Sequence, residues 1–416
     1  MSERREPIRP DDRNDLDTEQ LLSEWFEAEA PTREPAVLAP NVIARTALTR
    51  RRSRFLVRDW WRDLFRDDQR PSLKPALGAG AIVLVLLLAG VASLLPPAEI
   101  EQPVVDYPAD AIVVSMEDVQ STIAAAIAEA EEGDFVVIMP GEYEENLVLD
   151  KDITLMGGGD RDSIVLRPAD PDQPILSIDG ADATVSGFTI TGPGSSVTVL
   201  AGAPLIDDMV FREVGDQWWT YTGSGWDGYD EAAPSILVEL FAEPTIQNSR
   251  FDGGGEIDIR DSSTAFILNN TLTNGAAIFL NDASGETIVR DNSITDSGLF
   301  SIEITSATDL LVEGNVIDQS LPGIGIQAIG LTGTIRDNVI RGPNVGIQLI
   351  DGASPEITGN VIDASGTAFE VHEGVSPTVR DNEICGENAI MAVMRGAEPL
   401  DLSDNEVCDA PLVYGE

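Results

Sequence analysis

Seven asparagines recur along the C-terminal half of the chain at near-constant intervals: Asn270, Asn292, Asn315, Asn338, Asn360, Asn382 and Asn405, separated by 22, 23, 23, 22, 22 and 23 residues. Ser249 stands in the same slot 21 residues before the first, and Met209 stands 40 residues before Ser249. Each asparagine lies in a short unit such as VRDNSIT, VEGNVID, IRDNVIR or ITGNVID, with an apolar residue three places before it and another two places after, as Val379 and Ile384 flank Asn382. Such alternation is the signature of a strand, whose side chains point by turns to opposite faces. A unit this short cannot bury its apolar face alone, so neighbouring units must stack on one another.

With three strands per period, one repeat is one coil of a parallel β-helix. A tight turn in each coil needs a left-handed or bridge backbone, which asparagine tolerates, and stacked amides can bond to one another as a ladder. The pattern resembles the asparagine ladder of the pectin-lyase-like superfamily, which implies a right-handed parallel β-helix. Leucine-rich repeats share the repeat length but need leucines at fixed positions that are absent here. A second resemblance covers residues 118–159, DVQSTIAAAIAEAEEGDFVVIMPGEYEENLVLDKDITLMGGG. It looks like the opening of many such proteins, where an amphipathic helix, here carrying Val119, Ile123 and Ile127, caps the first coil ahead of the strand FVVIMPG. The fold expected over residues 112–416 is therefore mainly β, a right-handed parallel β-helix with an N-terminal capping helix.

Residues 77–95, LGAGAIVLVLLLAGVASLL, carry no charged side chain, and at helical rise they cover about 28 Å, close to the thickness of a bilayer core. A single transmembrane helix is expected at residues 77–96, followed by a linker at 97–111. Residues 1–76 hold 15 basic and 15 acidic side chains, while the remainder holds 11 and 57, so the whole formal charge of −46 lies beyond the span. Arginines crowd the N-terminal flank and Glu99, Glu101, Asp106 and Asp110 the other, which places the N-terminus in the cytoplasm and the repeat domain outside it. The segment before the span is expected to be mostly disordered or short-helical. Residues 55–65, FLVRDWWRDLF, read as a basic amphipathic helix on the inner membrane surface or as a plain stop-transfer cluster. Residues 16–30 offer Leu21, Leu22, Trp25 and Phe26 to a cytoplasmic partner, or form a nascent helix in a disordered tail.

The strand series EIDIRD, AIFLND, SIEITS, GIGIQA, GIQLID, FEVHEG and IMAVMR corresponds to the sheet that carries polysaccharide chemistry in the superfamily. Alternation places one outward column at Asp258, Phe279, Glu303, Gly325, Gln348 and Glu370, and a second at Arg260, Asn281, Thr305, Gln327, Ile350 and His372. Glu303, Gln348, Glu370 and His372, the single histidine of the chain, form the cluster with most chemical capacity. A carboxylate beside an imidazole can do acid-base work or hold a cation such as calcium; the plain alternative is an ordinary polar sheet face. Glu303, Glu370 and His372 are thus the catalytic candidates. Gln327 and Gln348 are the binding candidates, joined by Trp218, Trp219 and Trp226 of an aromatic insertion near residues 214–234. Those aromatics can stack on sugar rings, bind protein, or pack back on the helix.

Signatures of particular reactions are sparse. PGEYEEN, with Gly141, Tyr143 and Glu145, looks like the first conserved segment of pectin methylesterases, but the paired aspartates and the arginine segment of that family have no counterpart. The polygalacturonase elements are absent, and an outer domain with so few basic groups suits polyuronates poorly. There is no second histidine for a nucleophilic triad, no zinc-type cysteine spacing and no glycine loop for a nucleotide, so no resident metal or cofactor is expected beyond calcium. The acidity also excludes nucleic acid as a partner. Cys385 and Cys408 fall three residues after consecutive ladder asparagines, hence about 4.8 Å apart on neighbouring strands, and are expected to form a disulfide outside the cytoplasm. Two functions follow: a non-catalytic module at the cell surface that binds glycan or protein, or a hydrolase or lyase of neutral or cationic glycans with Glu303 and Glu370 as acid and base.

Overall fold

The structure, a computed structural model, describes residues 107–116, 122–194, 196–214, 219–221, 226–228, 233–283, 286–385, 390–395, 400–408 and 414–415. All belong to the second of the two units into which the chain divides, Glu99–Glu416. The expected cytoplasmic segment, its helices at 16–30 and 55–65, and the span at 77–96 lie outside the described residues, and no described helix is long and apolar enough to cross a membrane.

Among the described residues, three parallel sheets of 12 strands each form a right-handed parallel β-helix. One coil passes through Phe266–Leu268, Thr271–Gly275 and Ile278–Asn281, and the next begins at Ile288–Arg290. The first, second and third sheets are named here in that order.

The reason for stacking is visible in the inward rows. In the first sheet Ile246, Ile267, Val289, Val312, Ile335 and Ile357 lie in register and are fully buried. In the second sheet Phe211 and Phe251 stack with ring centroids 4.5 Å apart, and Leu272, Ile294, Ile317 and Ile340 continue their row. Each such side chain, fully buried, stabilises the domain by roughly 1.5–3 kcal/mol relative to exposure.

The ladder lies between the first and second sheets. Asn338 shows its logic: its Oδ1 accepts from the backbone N–H of Asn315 at 2.9 Å and from Asn315 Nδ2 at 2.9 Å, while its Nδ2 donates to Val312 O at 3.0 Å and to Asn360 Oδ1 at 2.9 Å. The same bonding links Asn270, Asn292, Asn315, Asn360, Asn382 and Asn405, and Ser249 and Met209 extend the row as the spacing implies. One detail differs from expectation. The left-handed backbone is not at the ladder asparagine but one residue earlier, at Asp208, Asn248, Asn269, Asp291, Gly314, Asp337, Gly359 and Asp381, with φ between 53° and 68°. The preceding residue makes the turn, and the asparagine is needed for its amide alone.

At the N-terminal end a helix, α1 (Ile123–Glu129), turns Ile123, Ala126 and Ile127 onto the first coils. Val119, expected on its apolar face, lies outside the described residues. Thr122 Oγ1 accepts from Ala125 N at 3.1 Å as the N-cap. The Glu145 carboxylate accepts from the N–H groups of Ile123 and Ala124, both at 2.9 Å, and Lys151 Nζ donates to the carbonyls of Ile127, Ala128 and Ala130 at 3.0, 3.1 and 2.8 Å. At the other end Cys385 and Cys408 are joined as a disulfide, their Cα atoms 5.0 Å apart.

Candidate functional site

The outward face of the third sheet carries the candidates, but its register differs from the sequence reading at one strand. Asp258 pairs with Phe279, Phe279 with Glu303, Glu303 with Gln327, Gln327 with Gln348, and Gln348 with Glu370. Gln327 therefore belongs to the first column, where Gly325 was expected, and Ile329 takes its place between Thr305 and Ile350. Gly325 does not face outward at all: a Cβ there would meet the carbonyl of Gly346 and the core side chain of Ile340. The error has a physical source. The link from the ladder turn to this sheet varies in length from coil to coil, so matching the Gly-Ile pairs of GIGIQA and GIQLID shifts the first strand by two residues.

Three side chains of the corrected column and His372 of the second form a continuous chain. Gln327 Nε2 donates to Gln348 Oε1, Gln348 Nε2 donates to Glu370 Oε1 at 3.1 Å, and Glu370 Oε1 lies 3.0 Å from His372 Nε2. Gln327 is buried, while Gln348, Glu370 and His372 are partly exposed. Side chains on consecutive parallel strands sit about 4.8 Å apart, so rigid backbone alone sets their spacing.

Toward the N-terminal side the same column becomes buried. Phe279 is 4% exposed and packs edge-on against Phe300, with ring centroids 6.4 Å apart. Asp258 is fully buried, holding Arg260 through Nε at 2.7 Å and Nη2 at 2.5 Å and accepting from Asn281 Nδ2 at 3.1 Å. Burial pushes the Asp258 carboxyl up from its ordinary range, and the bonds from Arg260 and Asn281 offset that in part. Glu303 is also pushed up, first by burial and then by the negative charge of Asp258. Asp258 was no more than a column member in the sequence; its opposite-charge pairing with Arg260 two residues on, along one face of one strand, is the signal that marks it.

Glu303 and Glu370 are not brought together. Three coils separate them, about 14 Å along the sheet, whereas paired carboxyls of glycosidases lie roughly 5–9.5 Å apart. The aromatic insertion contains an antiparallel hairpin in which Trp219 pairs with Gly228 and Tyr221 with Trp226; Trp218 lies outside the described residues. Glu383 groups with Cys385 and Cys408, but the two sulfurs are bonded to each other and supply no thiolate. PGEYEEN has a structural role: Tyr143 Oη donates to Met139 O at 2.7 Å, Glu145 caps α1, and Asn146 bonds to the backbone of Asp170, Gln173 and Pro174.

The family description "right handed beta helix region" matches residues 227–362. Among solved structures, the chain is similar to the catalytic unit of a thermostable α-1,3-glucanase from Streptomyces thermodiastaticus strain HF3-3, at 16% identity over 75% of this chain and 70% of that one, with a TM-score of 0.49. It is also similar to an alginate lyase from Paenibacillus sp. str. FPU-7, at 13% identity over 61% and 96%, with a TM-score of 0.40. A third is a mannuronic acid specific polysaccharide family 6 lyase from human gut microbiota, at 12% identity over 72% and 91%, with a TM-score of 0.35. No curated protein matches the sequence. Likenesses at this level carry no inference about activity.

Proposed function

We propose that this right-handed parallel β-helix is a membrane-anchored, extracytoplasmic module that binds a neutral glycan along Glu303, Gln327, Gln348, Glu370 and His372 without catalysis. The observation that carries the reading is the hydrogen-bonded chain of Gln327, Gln348 and Glu370 on three consecutive strands, closed by His372 beside Glu370 on the last of them. It offers amide and carboxylate groups in a straight row with an imidazole beside its end, already oriented by one another, which suits the hydroxyls of a sugar chain laid along the helix axis. The Glu370 carboxylate oxygen that faces Gln348 and His372 is engaged by both, and the nearest second carboxyl among the candidates, Glu303, is three strands away. A formal charge of −46 favours neutral chains over polyuronates. Calcium is the ion that the carboxylate oxygens of Glu303 and Glu370 would suit in this reading.

A second reading rests on one observation. The raised carboxyl of Glu303, partly exposed on the outward face and pushed up by burial and by the charge of Asp258 two coils away, has the character of a general acid. In that case the protein is a glycoside hydrolase. Incubation of the full-length protein with neutral oligosaccharides separates the two: binding with no new reducing ends supports the module, and product release lost in Glu303→Gln supports the enzyme.

A further inference from the structure

The turn that follows strand Ile236–Glu239 of the third sheet is unlike its neighbours. Leu240 and Phe241 are both left-handed, with φ of 57° and 63°, and both are exposed, at 54% and 73%. On the preceding coil the left-handed pair at this turn is Ala201 and Gly202, and on the next it is Asp261 and Ser262. The register is secured by Ala201 N to Glu239 O at 3.5 Å and Glu243 N to Gly202 O at 2.8 Å. Small or short polar residues tolerate this backbone; a leucine and a phenylalanine in succession bring their Cβ atoms against the following carbonyls. Neither side chain is compensated by burial in the protein's own core.

Bulky apolar side chains held outward on a strained backbone mark a contact surface. The surroundings indicate its partner. Ala201 and Gly202 are small, so the pair stands clear on that side. Glu243 and Asp261 are exposed, and neither forms an ion pair among the described residues, while Glu239 shares the field of Arg260. An acidic rim repels anionic lipid and polyanions, and a neutral sugar has use for the phenylalanine ring but not for the exposed leucine beside it. We infer that Leu240 and Phe241 form a docking knob for a partner protein that offers an apolar pocket with a basic rim. The proposal stands apart from the glycan row and survives if that reading fails.

The test places the photo-reactive residue p-benzoylphenylalanine at Phe241 in the full-length chain in its own membrane, with the same residue at exposed Val148 as the control. The expected result is an adduct at position 241 alone, whose cross-linked peptide is apolar and rich in lysine or arginine, with about a tenfold loss of adduct in Glu243→Gln/Asp261→Asn. No adduct, equal adducts at both positions, or a cross-link to lipid, glycan or a peptide lacking basic residues overturns it. Thermal unfolding of Leu240→Asn/Phe241→Gly gives an independent check. A raised Tm shows that the pair is kept at the expense of stability, and a lowered Tm shows that the protein's own fold needs it, which also overturns the proposal.

Discussion

Glu145 and Lys151 hold opposite ends of one helix: the carboxylate accepts from the first N–H groups of α1, at Ile123 and Ala124, and the ammonium donates to its last carbonyls, at Ile127, Ala128 and Ala130. Both flank the short strand Leu147–Leu149 on which the helix sits. A helix of 7 residues has no stability of its own in water, so its place over the open end of the solenoid depends on this clamp and on the burial of Ile123 and Ile127. Charges of these signs at these ends also complement the helix dipole.

Glu145→Ala and Lys151→Ala are each expected to lower unfolding free energy by about 2 kcal/mol, read in urea. The double variant should lose less than the sum, because both act on one helix. Ligand binding should be unchanged in all three. A loss of binding with no loss of stability would return the PGEYEEN segment to the functional site.

Removing a ladder amide from the middle of the stack should be far more damaging than removing one at its end. Asn338→Ala removes the acceptor of the Asn315 N–H and of one of the two Asn315 Nδ2 hydrogens, the other still bonded to Val289 O, and the donor to Val312 O, at roughly 2–4 kcal/mol in a buried site. Asn405→Ala, where the amide is partly exposed and near the end of the row, should cost about 1 kcal/mol. Thermal unfolding of the two variants checks the order.

Glu303 gives stability a pH dependence whose sign follows from its raised carboxyl. An acid whose folded pKa lies above its unfolded value of 4.5 destabilises the fold when ionised. That cost is absent below the unfolded value and fully present above the raised one. Glu303→Gln should therefore be more stable than the parent at neutral pH, and the gain should vanish as pH falls to the ordinary carboxylate range. Denaturant midpoints across that window decide it; a gain that grows on acidification would refute the assignment.

For topology, protease added to intact cells should digest residues beyond 96 and leave the N-terminal segment protected. Protection of the β-helix under those conditions would contradict the extracytoplasmic placement.

The parts of this fold legible in the sequence were those repeated in every coil. The amide of Asn338 must meet that of Asn360 one coil on, so the period survives in the spacing, and Cys385 and Cys408 share equivalent slots for the same reason. The column of Gln327 was misplaced because the chain between ladder turn and third sheet changes length without changing composition. The clamp formed by Glu145 and Lys151 was invisible because it occurs once and joins residues more than 20 positions apart. At Asp258, the pairing with Arg260 is local, yet its complete burial depends on tertiary packing that no strand period reports.

The most direct test of the proposed function is titration of the full-length protein with a panel of neutral oligosaccharides, comparing the parent with Glu370→Ala/His372→Ala. A non-catalytic glycan face predicts saturable binding by the parent, no new reducing ends, and about a tenfold weaker complex in the variant at unchanged Tm. Equal binding by parent and variant, or release of product by the parent, would contradict it.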